Sequence, residues 1–177
     1  MFNSFNSSNL LNTSDNTNEI DNSKKSKKIH TITRKFEFDA GHRIPNHNSV
    51  CKNLHGHRYV LEVTLQGEII DYENASDFGM IIDFGDVKSI INKCLIDKWD
   101  HAFLVYEKDE IILHFLNSLP NHKTVVLPCV PTAENLVYTA YKIINQELNT
   151  IYCGKINIVH AKLYETPNCW AEYRVLN

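Results

Sequence analysis

Hydrophobic and polar positions divide the chain in two. Over residues 1–29, "MFNSFNSSNLLNTSDNTNEIDNSKKSKKI", Asn, Ser, Asp and Lys dominate. Such a segment buries too little apolar surface to offset the entropy of ordering it, so a disordered polar tail is expected there. From His30 a period of two sets in. "HTITRKFEF" reads as a strand, "DAGHRIPNHNSVCKN" as a turn-rich loop, and residues 55–68 as a second strand. In that strand Tyr59, Leu61, Val63 and Leu65 share one parity and Glu62, Thr64 and Gln66 the other, which predicts one buried face. His55 and His57 fall on the buried parity.

The period then lengthens. Val87, Ile90, Ile91, Cys94 and Leu95 recur at helical spacing and predict a helix over 85–97 that stops before "KWDHAFL". "PTAENLVYTAYKIINQEL" predicts another, with Thr132 as its N-cap and Glu134 at the positive end of the helix dipole. "KINIVHAKLYE" and "CWAEYRVL" read as closing strands, with a short extra strand near "TVVLP". The order β-β-α-α-β-β predicts an α+β fold, a four-stranded antiparallel sheet with two helices on one face. One domain over 30–177 is expected, since 177 residues with 43% hydrophobic content suffice for a single core.

Composition narrows the function. The net charge of -3 and the absence of a basic face exclude the electrostatic footprint of a nucleic-acid binder, and "KKSKK" reads as a solvated run. Five cysteines (Cys51, Cys94, Cys129, Cys153, Cys169) are odd in number and lack a CxxC pair, which argues against a disulfide framework and for a reducing cytoplasm. No apolar run approaches the roughly 20 residues of a membrane helix, and no apolar signal core opens the chain, so a soluble cytoplasmic protein is expected.

Several residues offer chemistry. His55 and His57, at i and i+2, project from one side of a strand, the spacing two imidazoles need to share a tetrahedral cation. His42, in the loop after the first strand, is a candidate third ligand. Three neutral imidazoles leave a fourth zinc position open, the catalytic arrangement, although HxH alone also describes two buried strand histidines. Cys51, four residues before His55, is a base or nucleophile if a cation lies near it, and otherwise a small buried hydrophobe. Asp100 beside His101 suits an oriented imidazole for proton transfer, though adjacent side chains often diverge. Glu165 stands at a strand end before a turn, where an acid is ordinarily just solvated. His47, His114, His122 and His160 read as surface or core histidines.

Taken in order, "FDAGHR", "CKNLHGHRY", "WDHAFL", "PTAEN" and "YETPNCWAEY" resemble the 6-pyruvoyl-tetrahydropterin synthase superfamily over about residues 30–177. The C-x3-H-G-H spacing with Leu54, and "PTAEN", resemble its 6-carboxytetrahydropterin, queuosine-pathway branch; pyruvoyl-forming members usually carry C-x5-H-G-H. The resemblance implies His42, His55 and His57 as zinc ligands, Cys51 as base, and His101, Asp100 and Glu165 as proton-relay partners. It also implies Glu165, Thr132 and Glu134 at the pterin ring. A tunnelling fold would follow, with sheets pooled into an oligomeric barrel, sites at subunit interfaces and a hexamer of two trimers. The implied reaction turns 7,8-dihydroneopterin triphosphate into 6-carboxy-5,6,7,8-tetrahydropterin, acetaldehyde and triphosphate. The alternatives are pyruvoyl-forming triphosphate elimination and a non-catalytic zinc- or pterin-binding module. The stretch between His101 and Pro131 is longer than in the short bacterial pattern.

Overall fold

The computed structural model describes residues 28–176. The expected polar tail lies outside the described residues up to residue 27, while Ile29 already belongs to the first strand. Strands β1 (Ile29–His42) and β2 (His55–Glu68) pair antiparallel along their whole length, from Ile29 opposite Glu68 to His42 opposite His55. The period-two reading of β2 holds: Tyr59, Leu61, Val63 and Leu65 are fully buried. β5 (Ile156–Thr166) and β6 (Cys169–Arg174) extend the sheet antiparallel beyond β2.

On the other side of β1 the expectation of four antiparallel strands fails. β3 (Ala102–Tyr106) lies parallel to β1, and β4 (Thr124–Leu127) parallel to β3, giving a six-stranded mixed sheet in the order β4-β3-β1-β2-β5-β6. β4 falls where the short extra strand near "TVVLP" was expected, whereas β3, only five residues long, leaves little periodicity to read.

Helix α1 (Phe84–Ile91) is N-capped by Asp83, whose side chain accepts from the Gly85 amide, and runs through a π-helical turn at Asn92–Ile96 into α2 (Asp97–Trp99). It therefore passes the expected end at 97, because Trp99 is buried edge-on against Phe38. A further helix, α3 (Glu110–Ser118), was not expected. α4 (Ala133–Tyr152) starts where its cap predicts, with Thr132 Oγ1 accepting from the Asn135 amide. Its C-cap Cys153 adopts a left-handed φ of 51°.

The main core joins one face of the sheet (Phe36, Phe38, Tyr59, Leu61, Ile158, Leu163) to Ile91, Leu95, Leu136, Ala140 and Ile144 of the helices. α3 is the exception. Ala102 and Leu104 of β3 point into that core, whereas Phe103 and Val105, of the other parity, pack with Ile112 and Leu116 of α3. One helix thus covers the opposite face of the sheet's β3 end. No helix among the described residues is long and apolar enough to cross a membrane.

Candidate functional site

At the end of the β1–β2 pair the alternation places two different groups on its two faces. On the helix-covered face, His42 sits opposite His55, and His57 is one inward-facing position further along β2. The three rings converge, with centroids 4.5 to 5.2 Å apart, and one nitrogen of each lies within 4.8 Å of the others. His42 is 1% exposed. Main-chain carbonyls fix two of the tautomers: His42 Nδ1 donates to Pro131 O and His55 Nδ1 to Asn53 O, both at 2.8 Å. Their Nε2 lone pairs are left free. Burial pushes the His42 and His57 imidazoles below the usual range, hence towards the neutral form.

The Nε2 atoms of His42 and His57 are buried without a hydrogen-bond partner. Glu165 Oε1 lies 3.4 Å from one and 3.8 Å from the other, but neutral rings make these no ion pairs. Orphaned, converging lone pairs on neutral imidazoles are a donor set suited to one divalent zinc-like cation.

Glu165 reaches this place through a local irregularity. β5 pairs with β6 at Tyr164–Trp170 and next at Thr166–Cys169, so Glu165 is the extra residue of a bulge. A bulge re-aims a side chain that regular pairing would direct elsewhere. Cys51 lies in a 3-10 turn, Val50–Lys52, which the Ile44 amide ties back by donating to Cys51 O at 2.8 Å. A cleft of about 240 Å³ is lined by His42, Cys51, Thr132, Glu134, Glu165 and Trp170. Five of the residues singled out in the sequence therefore share one cleft. His47 lines it too, a role its place in a polar loop did not signal.

On the opposite face the remaining two stand together. His101 has φ 56°, and this turn brings its Nδ1 to 2.9 Å from Asp100 Oδ2, so these neighbours do not diverge. The other Asp100 oxygen accepts from the Asp39 amide at 2.9 Å, and that amide, ahead of His101, holds the Asp100 carboxyl below its usual range. Arg58 clamps Asp39 with two bonds of 3.0 and 2.8 Å. Asp39, Asp100 and His101 also cluster within 4.8 Å, but their carboxylate oxygens are already engaged by Arg58, the Asp39 amide and His101. His101 and His122 line a second, more open cleft with Gly41, Gly56 and Phe103. Cys51 and His101 of one chain thus line different clefts. Asp39 and Arg58 were missed in the sequence, since only the β1–β2 register brings them together.

Glycine at position 56 has a structural cause. A Cβ there would meet Ala40 O at 2.9 Å, so the residue permits close approach of the two strands.

Residues 31–175 match the family model described as 6-pyruvoyl tetrahydropterin synthase. The chain belongs to that family. It is an enzyme of the lyase class that the family comprises. Curated relatives named 6-carboxy-5,6,7,8-tetrahydropterin synthase include one from Rickettsia bellii, 37% identical over 79% of this chain and 96% of that protein. Another, from Haemophilus influenzae, is 34% identical over 81% and 97%. The fold is that of solved 6-pyruvoyl tetrahydropterin synthases. The Caenorhabditis elegans structure has a TM-score of 0.57 at 22% identity, covering 84% of this chain and 97% of its own. The Plasmodium vivax structure has a TM-score of 0.61 at 18% identity, covering 84% and 99%.

Proposed function

We propose that this chain converts 7,8-dihydroneopterin triphosphate into 6-carboxy-5,6,7,8-tetrahydropterin, acetaldehyde and triphosphate, as a zinc enzyme of 7-deazaguanine and queuosine biosynthesis in the cytoplasm. The observation that carries the reading is the converging imidazole cluster, with two Nε2 atoms unpartnered, whose His42 lines the cleft together with Cys51 and Glu165. The names of the relatives favour the carboxy over the pyruvoyl product.

His42, His55 and His57 would hold the zinc, which when bound supplies Lewis acidity to side-chain hydroxyls of the substrate. Cys51 lines the same cleft and takes a carbon-bound proton as thiolate. Glu165, aimed by its bulge, accepts two parallel hydrogen bonds from the pterin amino group and ring N–H. Thr132 Oγ1 is engaged as helix cap, so it acts by fixing the start of α4, with Glu134 beside it at the ring. His101, oriented by Asp100, moves protons. Because the dyad lies on the sheet face away from Cys51, it serves the cleft of a neighbouring copy, in keeping with a homohexamer of two trimers whose sheets close into a barrel.

Incubation of the purified protein with 7,8-dihydroneopterin triphosphate, followed by mass analysis, tests the reading. The 6-carboxy product with acetaldehyde supports it. A 6-pyruvoyl product would assign the alternative synthase, and no turnover by the zinc-loaded protein would reduce it to a binding module.

A further inference from the structure

Arg43 and Asp109 form the most tightly engaged charge pair among the described residues, and nothing in the reaction above uses it. Arg43 Nε and Nη2 donate to the two Asp109 oxygens at 2.6 and 2.7 Å, and Asp109 is 5% exposed. Arg43 directly follows His42. It lies just past the end of β1, and its guanidinium reaches Asp109 at the start of α3.

Two details separate this pair from a plain anchor of the fold. Asp109 is the N-cap residue of α3, a position where an aspartate ordinarily accepts from a first-turn amide, yet its side chain caps nothing. Both oxygens are given to Arg43, so the helix forgoes its local stabilisation. The third contact of the guanidinium is a long one of 3.5 Å from Nη1 to Lys52 O, the carbonyl next to Cys51 in the chain. Because the Ile44 amide also binds Cys51 O, both residues that follow His42 grip the 3-10 turn carrying the thiol. The turn has no buried residue to hold it otherwise.

We propose that Asp109 is a positioning residue: through Arg43 it fixes the loop between β1 and β2 so that the Cys51 thiol stands over the cleft. The proposal rests on the role given to Cys51. It also assigns a purpose to the long segment after His101, which supplies from α3 a support for the loop on the far side of the sheet.

The test uses the full-length, zinc-loaded protein with Asp109→Asn, and with Arg43→Lys as a second variant that keeps the charge and loses the fork. Leu116→Ala, which loosens α3 in its own small cluster, is the structural control. Native alkylation by iodoacetamide is followed at Cys51 by peptide mass analysis, with the exposed Cys153 as internal reference. In both pair variants kcat is expected to fall about tenfold or more with KM within about twofold, as loss of alignment predicts. The Cys51 alkylation rate, relative to Cys153, should change at least about threefold as the loop loosens. Zinc content should be unchanged. Unaltered Cys51 alkylation in both pair variants, or the same changes in Leu116→Ala, would overturn the proposal. If Cys51→Ala itself keeps full turnover, the base assignment falls separately, and the alkylation rate alone decides the role of Asp109.

Discussion

The imidazole cluster and the Asp100–His101 dyad occupy opposite faces of one pair of strands, and they are built by opposite means. The cluster is desolvated, and main-chain carbonyls of Pro131 and Asn53 orient two of its rings. Its charge is deferred, since neutral rings wait for a cation to bring it. The dyad is open, with the His101 side chain 77% exposed, and charges already present hold it together: Arg58 on Asp39, and Asp100 on His101. A site that binds a cation has to be rigid and dry before the ion arrives. The role proposed for the dyad, passing protons into another copy's cleft, requires it to stay reachable until that copy covers it.

The largest effect should follow from His42→Ala, which removes the most buried imidazole of the cluster. Zinc, measured by metal analysis, should fall to about a tenth of one per chain or less. Turnover should fall about a thousandfold or more, several kcal/mol of lost Lewis-acid stabilisation. His101→Ala should keep its zinc. Equal zinc loss in both variants would erase the distinction between the faces.

Next come Cys51→Ala and His101→Ala, each expected to lower kcat by about 10² to 10⁴, the range of general acid–base catalysis, with zinc retained. Mixing the two inactive proteins after reversible dissociation sharpens the comparison. If the faces work across copies, mixed assemblies contain junctions with an intact Cys51 and an intact His101, and part of the wild-type turnover returns. Mixtures as inactive as their components would confine both residues to one chain's site.

How far the sequence disclosed all this depended on range. β2 was legible to its ends because alternation, parity and the HGH histidines are properties of fourteen contiguous residues. Thr132 was legible because an N-cap is local. β3 and α3 were not: AFLVY joins the sheet through parallel pairing with Ala40, Gly41 and His42, some sixty positions earlier, and α3 leaves Ile111 and Phe115 exposed, which blurs its amphipathic face. The residues of the two faces were found by type and motif, whereas their supports, Asp39 and Arg58 beside the dyad and Asp109 and the Pro131 carbonyl beside the cluster, are ordinary residues made significant by contacts across the fold.

A moderate effect is expected from Gly56→Ala, whose added Cβ would press on Ala40 O and on the Cα of Gly41 between the two faces. Backbone offers little give, so stability should fall by about 1–3 kcal/mol, read from the urea midpoint. Zinc affinity should weaken as His55 and His57 shift with their strand. An unchanged midpoint with lost substrate binding would instead mean that Gly56 makes room for a ligand.

The smallest effect separates the faces by pH. In zinc-free protein, burial lowers the His42 and His57 pKa values below the unfolded one of about 6.5, so the unfolded chain takes up protons first and stability declines as the pH falls below that value. Asp100 acts lower. The Asp39 amide lowers its carboxyl pKa, and stability from this source is present above the unfolded value of about 3.9 and lost as the pH falls through the folded one. Because the Asp100 side chain is 38% exposed, solvent screening limits its share to about 0.5 kcal/mol or less. Urea midpoints of chelated wild type and Asp100→Asn, taken from pH 7 to pH 3, should therefore decline in parallel between pH 7 and 5. Only below about pH 4 should the wild type lose slightly more. A difference that already opened near pH 6 would mean that an imidazole, not the Asp100 carboxyl alone, carries the dyad's pH dependence, and the two faces could no longer be told apart by the pH at which each loses stability.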